Sequence, residues 1–265
     1  MGTDTLETRF ELNAPPVRRV RMTLYFKEMD ELRVSALSNF IEELRGAYPE
    51  IREQFPLASR PTEDSSPGVF VSSRTAMPFP LLSFANPESG QVVSFQSDRF
   101  SLAWNFGNES DDSHYPGYES LRDQLARLFK IFSEAVHGQL GEMPVANRSQ
   151  CWYLNSVNEL PGAGLALYLL TGQEDVTARA GLQSRTYAGA RVRLNVESDG
   201  LVKRVSAGVD SPNDDETTLW IRVTSEAEAT DPDALDLLDS AHDELIRNFV
   251  QFTPNWLRSK WGESK

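Results

Sequence analysis

Arg19-Val-Arg-Met-Thr-Leu-Tyr-Phe26 places Val20, Met22, Leu24 and Phe26 in alternation with Arg19, Arg21, Thr23 and Tyr25. Side chains along a strand point to opposite faces in turn, so this period of two predicts a strand with a buried apolar face and a polar, cationic one. A helix is expected next, because Val34, Leu37, Ile41, Leu44 and Tyr48 recur at helical spacing before Pro49. Residues 56–68 read as a polar loop. Leu81 to Ala85, the turn Asn86-Pro-Glu-Ser-Gly90, Val92 to Gln96, and the alternating Phe100, Leu102, Trp104 and Phe106 then read as an antiparallel meander. Such short links argue against a doubly wound nucleotide fold. The acidic loop Asn108-Glu-Ser-Asp-Asp-Ser-His114 leads into a second long amphipathic helix, carried by Tyr118, Leu121, Leu125, Leu128, Phe129, Phe132 and Val136 and ending at Gly138.

The second half follows the same order more loosely. Strands are expected around Arg148 to Val157, Tyr187 to Val196, Leu201 to Val209 and Thr218 to Thr224, with Trp104 and Trp220 in comparable places in the last strand of each half. The fold class expected is α+β, with antiparallel sheet and long amphipathic helices on one face, built as two duplicated halves, residues 1–143 and 144–265, packed as one unit. Pro161 to Arg185 interrupts the pattern, and its apolar centre Leu165-Ala-Leu-Tyr-Leu-Leu170 suits a strand, a short helix or a partner-facing patch.

The chain closes on Asp231-Pro-Asp-Ala-Leu-Asp-Leu-Leu-Asp-Ser-Ala-His-Asp-Glu-Leu-Ile-Arg-Asn-Phe-Val-Gln-Phe252. Asp231 and Pro232 form a good helix start, since an Asp side chain accepts from first-turn amides and proline already holds a helical φ. Leu238, Ala241, Leu245, Phe249 and Phe252 project as one stripe, widened by Leu235 and Ile246, with Asp236, Asp243, Glu244 and Arg247 on the wet side. His242 falls in the apolar stripe with Asp239 at its edge. That pair suits either a ring oriented by a carboxylate for acid–base work or a core histidine satisfied by its neighbours. Thr253 is expected to cap a short final segment, which Trp256, Leu257 and Trp261 fold back onto the body.

Composition excludes several classes. The 265 residues include 39 acidic and 26 basic side chains, a formal charge of −13. Such a surplus repels phosphate backbones and anionic lipid, so neither direct nucleic-acid binding nor a membrane partner is expected. The longest apolar run, Leu165 to Leu170, is far shorter than the roughly 20 residues that span a bilayer. The single cysteine, Cys151, has no internal partner, and Met-Gly-Thr-Asp-Thr-Leu-Glu at the start has no export pattern, so a reduced cytoplasm is expected. Gly162-Ala-Gly164 lacks a third glycine at Leu167, and neither a phosphate-binding Gly-rich loop nor a Gly-x-Ser-x-Gly elbow occurs. No cofactor is expected. Nor is a metal: His114, His137, His242 and Cys151 are too few for a soft site, and Asp111-Asp112 and Asp214-Asp215-Glu216 lack calcium-loop spacing.

The candidate binding residues follow from two strands and the last helix. Arg19 and Arg21, continued by Thr23 and Tyr25, make a cationic row able to receive an anionic ligand or an acidic partner segment. In Arg148-Ser-Gln-Cys-Trp-Tyr-Leu-Asn155-Ser-Val-Asn-Glu159, Tyr153 and Asn155 are singled out, because an asparagine in a strand is either exposed or part of a polar network. Asp239 and His242 complete the set.

Tyr48-Pro49, Tyr115-Pro-Gly-Tyr-Glu119, Cys151-Trp-Tyr-Leu-Asn155-Ser-Val157 and His242…Phe249…Thr253…Trp261-Gly262 occur in the order seen in a sporadically distributed family of uncharacterised bacterial proteins. The chain resembles that family over most of its length. It departs where the family strand carries arginines, since Trp152 and Ser156 stand at those positions. The resemblance implies no assigned activity, but patchy distribution implies a dispensable role such as defence or conflict. The expected function is a non-enzymatic, cytoplasmic binding or interaction protein that receives a protein partner or small ligand. Two alternatives stand beside it: a hydrolase-like enzyme using His242 with Asp239, and a protein subunit of a nucleic-acid-targeting complex.

Overall fold

A computed structural model describes residues 12–57, 78–106, 115–174, 187–198, 200–213, 216–227 and 233–263. Its strands are β1 (Val17–Phe26), β2 (Glu50–Gln54), β3 (Leu81–Asn86), β4 (Gln91–Gln96), β5 (Arg99–Asn105), β6 (Ala146–Ser156), β7 (Ala188–Ser198), β8 (Leu201–Asn213) and β9 (Glu216–Ala227). Its helices are α1 (Ser38–Ala47), preceded by a 3-10 turn, α2 (Tyr118–Leu140), α3 (Gly162–Thr171), α4 (Ala234–Phe252) and α5 (Asn255–Lys260). All nine strands form one antiparallel sheet in the order β2-β3-β4-β5-β1-β6-β9-β8-β7. The fold is α+β, and the two halves of the chain meet within a single sheet at β1 and β6.

The expected alternation in β1 holds at Arg19 to Met22, but Thr23 and Tyr25 on the opposite face are buried as well. Val20, Met22 and Leu24 are buried, and across the sheet they lie level with Trp104, Leu102 and Phe100 on one side and Tyr153, Cys151 and Ser149 on the other. Leu121, Leu125 and Phe132 of α2, Leu165 and Leu169 of α3, and Leu238, Ala241 and Leu245 of α4 pack onto this same apolar face in one continuous core. The other face of the sheet carries no helix among the described residues. None of those helices is long and apolar enough to cross a membrane.

The β3–β4 turn shows why local sequence was so readable. Asn86 Oδ1 accepts from the amides of Glu88 at 2.9 Å and Ser89 at 3.1 Å, a side-chain substitute for a backbone turn. Gly90 follows at φ 68°, and a Cβ there would sit 2.2 Å from the Asn105 carbonyl oxygen. Gly90→Ala is expected to lower the unfolding free energy by about 2 kcal/mol, through the left-handed backbone and the parting of β4 from β5. A urea midpoint equal to wild type would refute this.

Several expectations are corrected. β2 was not anticipated: Glu50-Ile-Arg-Glu-Gln54 has no apolar alternation and forms a fully exposed edge strand. Residues 165–170 belong to helix α3, whose Leu165 and Leu169 are buried while Leu170 is exposed. α2 runs past Gly138 and ends at Gly141, which takes the left-handed conformation at φ 74°. Asp233 caps α4, its carboxylate accepting from the Leu235 amide at 2.8 Å; Asp231 and Pro232 lie outside the described residues. Glu244 is not on the wet side but buried, held by Asn248 at 2.8 Å and Arg247 at 3.2 Å. Thr253 does not cap α5; its hydroxyl donates back to the Phe249 carbonyl, and Pro254 precedes the helix. The α4–α5 corner is instead held by buried Arg258, which donates to the carbonyls of Val250 and Thr253 and to Asn255 Oδ1. The loop at 58–68, the acidic loop with Asp111, Asp112 and His114, Asp214-Asp215, and residues 175–185 lie outside the described residues.

Trp104 and Trp220 do share the last strand of each half, but not a face. Trp104 pairs with Val20 and is buried among the core aromatics, whereas Trp220 pairs with Leu154, one residue out of phase, and lies on the helix-free face.

Candidate functional site

The candidate residues divide between the two faces of the sheet. On the helix side, Tyr153 and Asn155 point into the core from β6, and Asp239 and His242 face them from α4. Tyr153 is buried, and its hydroxyl shares a hydrogen bond with Tyr115 at 2.9 Å. Asn155 is 2% exposed and donates to the Leu219 carbonyl of β9 at 3.1 Å. It is therefore a satisfied interior group that ties two strands. Burial raises the phenol of Tyr153 well above its ordinary range, and burial likewise raises the Cys151 thiol, so neither ionises at neutral pH.

Asp239 does not orient His242. Its carboxylate takes a bidentate pair from Arg122 at 2.6 and 2.7 Å and the Tyr118 hydroxyl at 2.6 Å, both from α2. Burial pushes that carboxyl up, but the hydrogen bonds from Arg122 and Tyr118 outweigh it and hold it below the usual range. His242 stacks flat on the Tyr118 ring, with centroids 3.6 Å apart and planes 6° off parallel, and lies 6.0 Å from Tyr153. Burial lowers its pKa to about 4 against the opposing pull of Asp239. The ring is neutral at pH 7, a flat packing piece between α2 and α4. The acid–base pair suggested by spacing is not formed.

On the helix-free side the picture differs. Register places Trp152 of β6 between Arg21 of β1 and Arg222 of β9, and neighbouring strands lie only about 4.8 Å apart. Arg19 follows one pleat along, level with Asn105 of β5. Small Ala103, opposite Arg21, leaves a hollow of about 200 Å³ lined by Arg19, Arg21, Asn105, Gln150, Trp152 and Arg222. No carboxylate lines it.

Tyr25 lies on this face too, yet it is not part of the hollow. It is 6% exposed and sandwiched between Arg148 at 4.2 Å and Arg99 at 5.3 Å. Arg99 is held in turn by Asp98 at 2.8 and 3.0 Å. Further out, Arg204 pairs with Glu226 at 2.9 Å and Arg191 sits over Trp220 at 5.9 Å, while Arg193 and Arg222 each have a contact of their own. Arg19 and Arg21 are the exception: both are exposed, and neither makes a hydrogen bond or ion pair with a described residue. On this face, among the described residues, two arginines with no acidic partner thus stand side by side in a chain whose formal charge is −13.

Sequence reasoning found Arg19 and Arg21 but missed Trp152, Arg222, Gln150 and Asn105, which the sheet register brings beside them. A signal existed in Gln150-Cys-Trp152, where the two polar-face residues flank buried Cys151, but it became usable only once the pairing with β1 was known. No protein-family model matches the chain, and no curated protein matches it.

Proposed function

We propose that this is a non-enzymatic binding protein whose helix-free sheet face receives an anionic ligand or an acidic segment of a partner protein. One observation carries the reading: Arg19 and Arg21 stand exposed beside Trp152 in a hollow without carboxylates and have no hydrogen-bond or ion-pair partner among the described residues, within an otherwise acidic chain. Guanidinium groups left in that state gain charge-assisted, bidentate hydrogen bonds when a carboxylate or phosphate arrives. A cytoplasmic location is supported by the single cysteine, Cys151, which is buried and unpaired. A place in bacterial defence or conflict rests on the family resemblance.

The reading includes a duplicated origin for the two halves. Its support is the strand order, in which β5-β4-β3 extends from β1 as β9-β8-β7 extends from β6. In each half a long helix follows the last strand, α2 after β5 and α4 after β9, and these two meet at Tyr118, Arg122, Asp239 and His242.

Anion binding predicts a measurable stabilisation. A ligand at about 100 times its Kd contributes about 2.7 kcal/mol, which for a chain of this size raises the Tm by about 5 °C or more. The rise is expected when a glutamate-rich peptide, inorganic phosphate or a nucleotide is added at constant ionic strength, and it is expected to vanish in R19E/R21E. If no anion raises the wild-type Tm, or the double variant responds as wild type does, this reading fails.

A further inference from the structure

We infer that the ligand of the Arg19–Trp152 hollow is a nucleoside monophosphate, its phosphate on Arg19 and Arg21 and its base against Trp152. This rests on the anion-binding reading above and narrows it. Two features of the hollow choose the ligand class, one by charge and one by shape.

The charge is local and doubly positive. Arg99, Arg148, Arg191, Arg193, Arg204 and Arg222 on the same face all have partners within the chain. Among the described residues of this face, Arg19 and Arg21, one pleat apart, are the arginines with neither a hydrogen bond, an ion pair nor a ring contact, so the open donors sit at one place instead of running across the sheet as a track for a polymer backbone. A phosphate monoester brings about −1.5 to −2 charges and three acceptor oxygens to one point. Two guanidinium forks, each presenting parallel N–H donors, match that group better than they match a single carboxylate, which neutralises only one of them. The long-range repulsion from the −13 chain also weighs more heavily against a polyanion than against one small dianion.

The shape is set by Trp152. Its indole lines the hollow next to Arg21, is half-buried, and has no ring partner among the described residues. A flat, half-exposed indole beside a phosphate site offers a stacking surface that accepts any base, because every base has a π-face. The volume of about 200 Å³ suits a phosphate and part of a sugar, leaving the base to lie outward on the ring.

Isothermal titration of the full chain decides it. AMP, GMP, CMP and UMP are each expected to bind at least about tenfold more tightly than ribose 5-phosphate, inorganic phosphate or a glutamate-rich peptide. R19Q/R21Q, surface changes whose fold is checked by circular dichroism, is expected to weaken every phosphate ligand about tenfold or more. Trp152→Leu is expected to abolish the preference for nucleotides over ribose 5-phosphate, and Trp152→Phe, which keeps a flat ring, to retain most of it. Should Trp152→Leu not fold, the wild-type comparison of nucleotide with ribose 5-phosphate and the Trp152→Phe result still decide. Equal binding of ribose 5-phosphate and nucleotides overturns the inference, as does a preference that survives in Trp152→Leu. A peptide binding as tightly as the nucleotides overturns it while leaving the anion-binding reading intact. An eight-nucleotide single strand binding more than about tenfold tighter than a mononucleotide reassigns the face to nucleic acid, and no binding of any anion overturns both readings.

Discussion

Phe132→Ala is expected to lower the unfolding free energy by about 3–5 kcal/mol, moving the urea midpoint down by about 1 M or more. Phe132 is fully buried on α2. Its ring centroid lies 5.2 Å from Phe100, 5.3 Å from Phe95, 5.7 Å from Phe40 and 6.0 Å from Phe26. These rings come from β5, β4, α1 and β1, so one side chain joins four elements to α2. Truncation leaves a cavity lined by stiff aromatics that cannot collapse into it, which is where large-to-small changes cost most. The loss is not a helix-propensity effect, because alanine is the best helix former. Phe132→Leu retains most of the volume and should cost less than half as much. Equal, small losses in both variants would show that the aromatic cluster does not anchor α2.

Acidification from pH 7.5 to 4.5 is expected to remove about 2–3 kcal/mol of stability through His242 alone. The folded ring has its pKa lowered to about 4 from an ordinary value of 6.5. The unfolded chain therefore takes up a proton near pH 6.5 that the folded chain refuses until near pH 4. The contribution is complete above pH 6.5 and is lost as pH falls through that window. Asp239 acts in the same direction but lower, since its carboxyl is held below its ordinary value of 3.8. Asp243 acts oppositely, its carboxyl being raised mainly by burial. His242→Phe keeps a flat ring over Tyr118 and removes the titration, so its stability relative to wild type should improve by about 2–3 kcal/mol between those two pH values. Parallel stability curves for wild type and variant would sink the assignment. The same comparison separates a packed histidine from a catalytic one, because the packing role moves stability and not the response to anions.

Legibility followed locality. The strand β1, the β3–β4–β5 meander and the apolar stripes of α2 and α4 were readable because a period of two or 3.6 is imposed by which face meets the core. α3 was ambiguous because it is apolar nearly all round, and a short apolar run alone does not separate helix from strand. β2 was silent because an exposed edge strand buries nothing that could leave a pattern. The start of α4 was misplaced by two residues because Asp231 and Asp233 are chemically identical as caps, so residue type alone does not choose between them.

The site was legible only in part, for a related reason. Arg19 and Arg21 were legible as a cationic row because they alternate with core residues in a strand, although a solvated face paired with carboxylates gives the same pattern. Their companions were not. Tyr153 and Asn155 were chosen from β6, whereas register puts those residues in the core and turns Trp152 and Gln150 outward to the arginines. A one-residue shift in pairing moves every side chain of a strand to the other face, and no local feature of β6 records its register with β1.

By itself, then, the sequence determined the periodic elements β1, β3 to β5, α2 and α4, the acidic balance and the cationic row of β1, because these depend on residue type and near neighbours. Tertiary structure decided that both halves share one sheet, that His242 is a ring stacked on Tyr118 and Asp239 belongs to Arg122, and that Trp152 joins Arg19 and Arg21. Those outcomes depend on pairing across about 130 residues of intervening chain, where burial and register, and not local propensity, choose the neighbours.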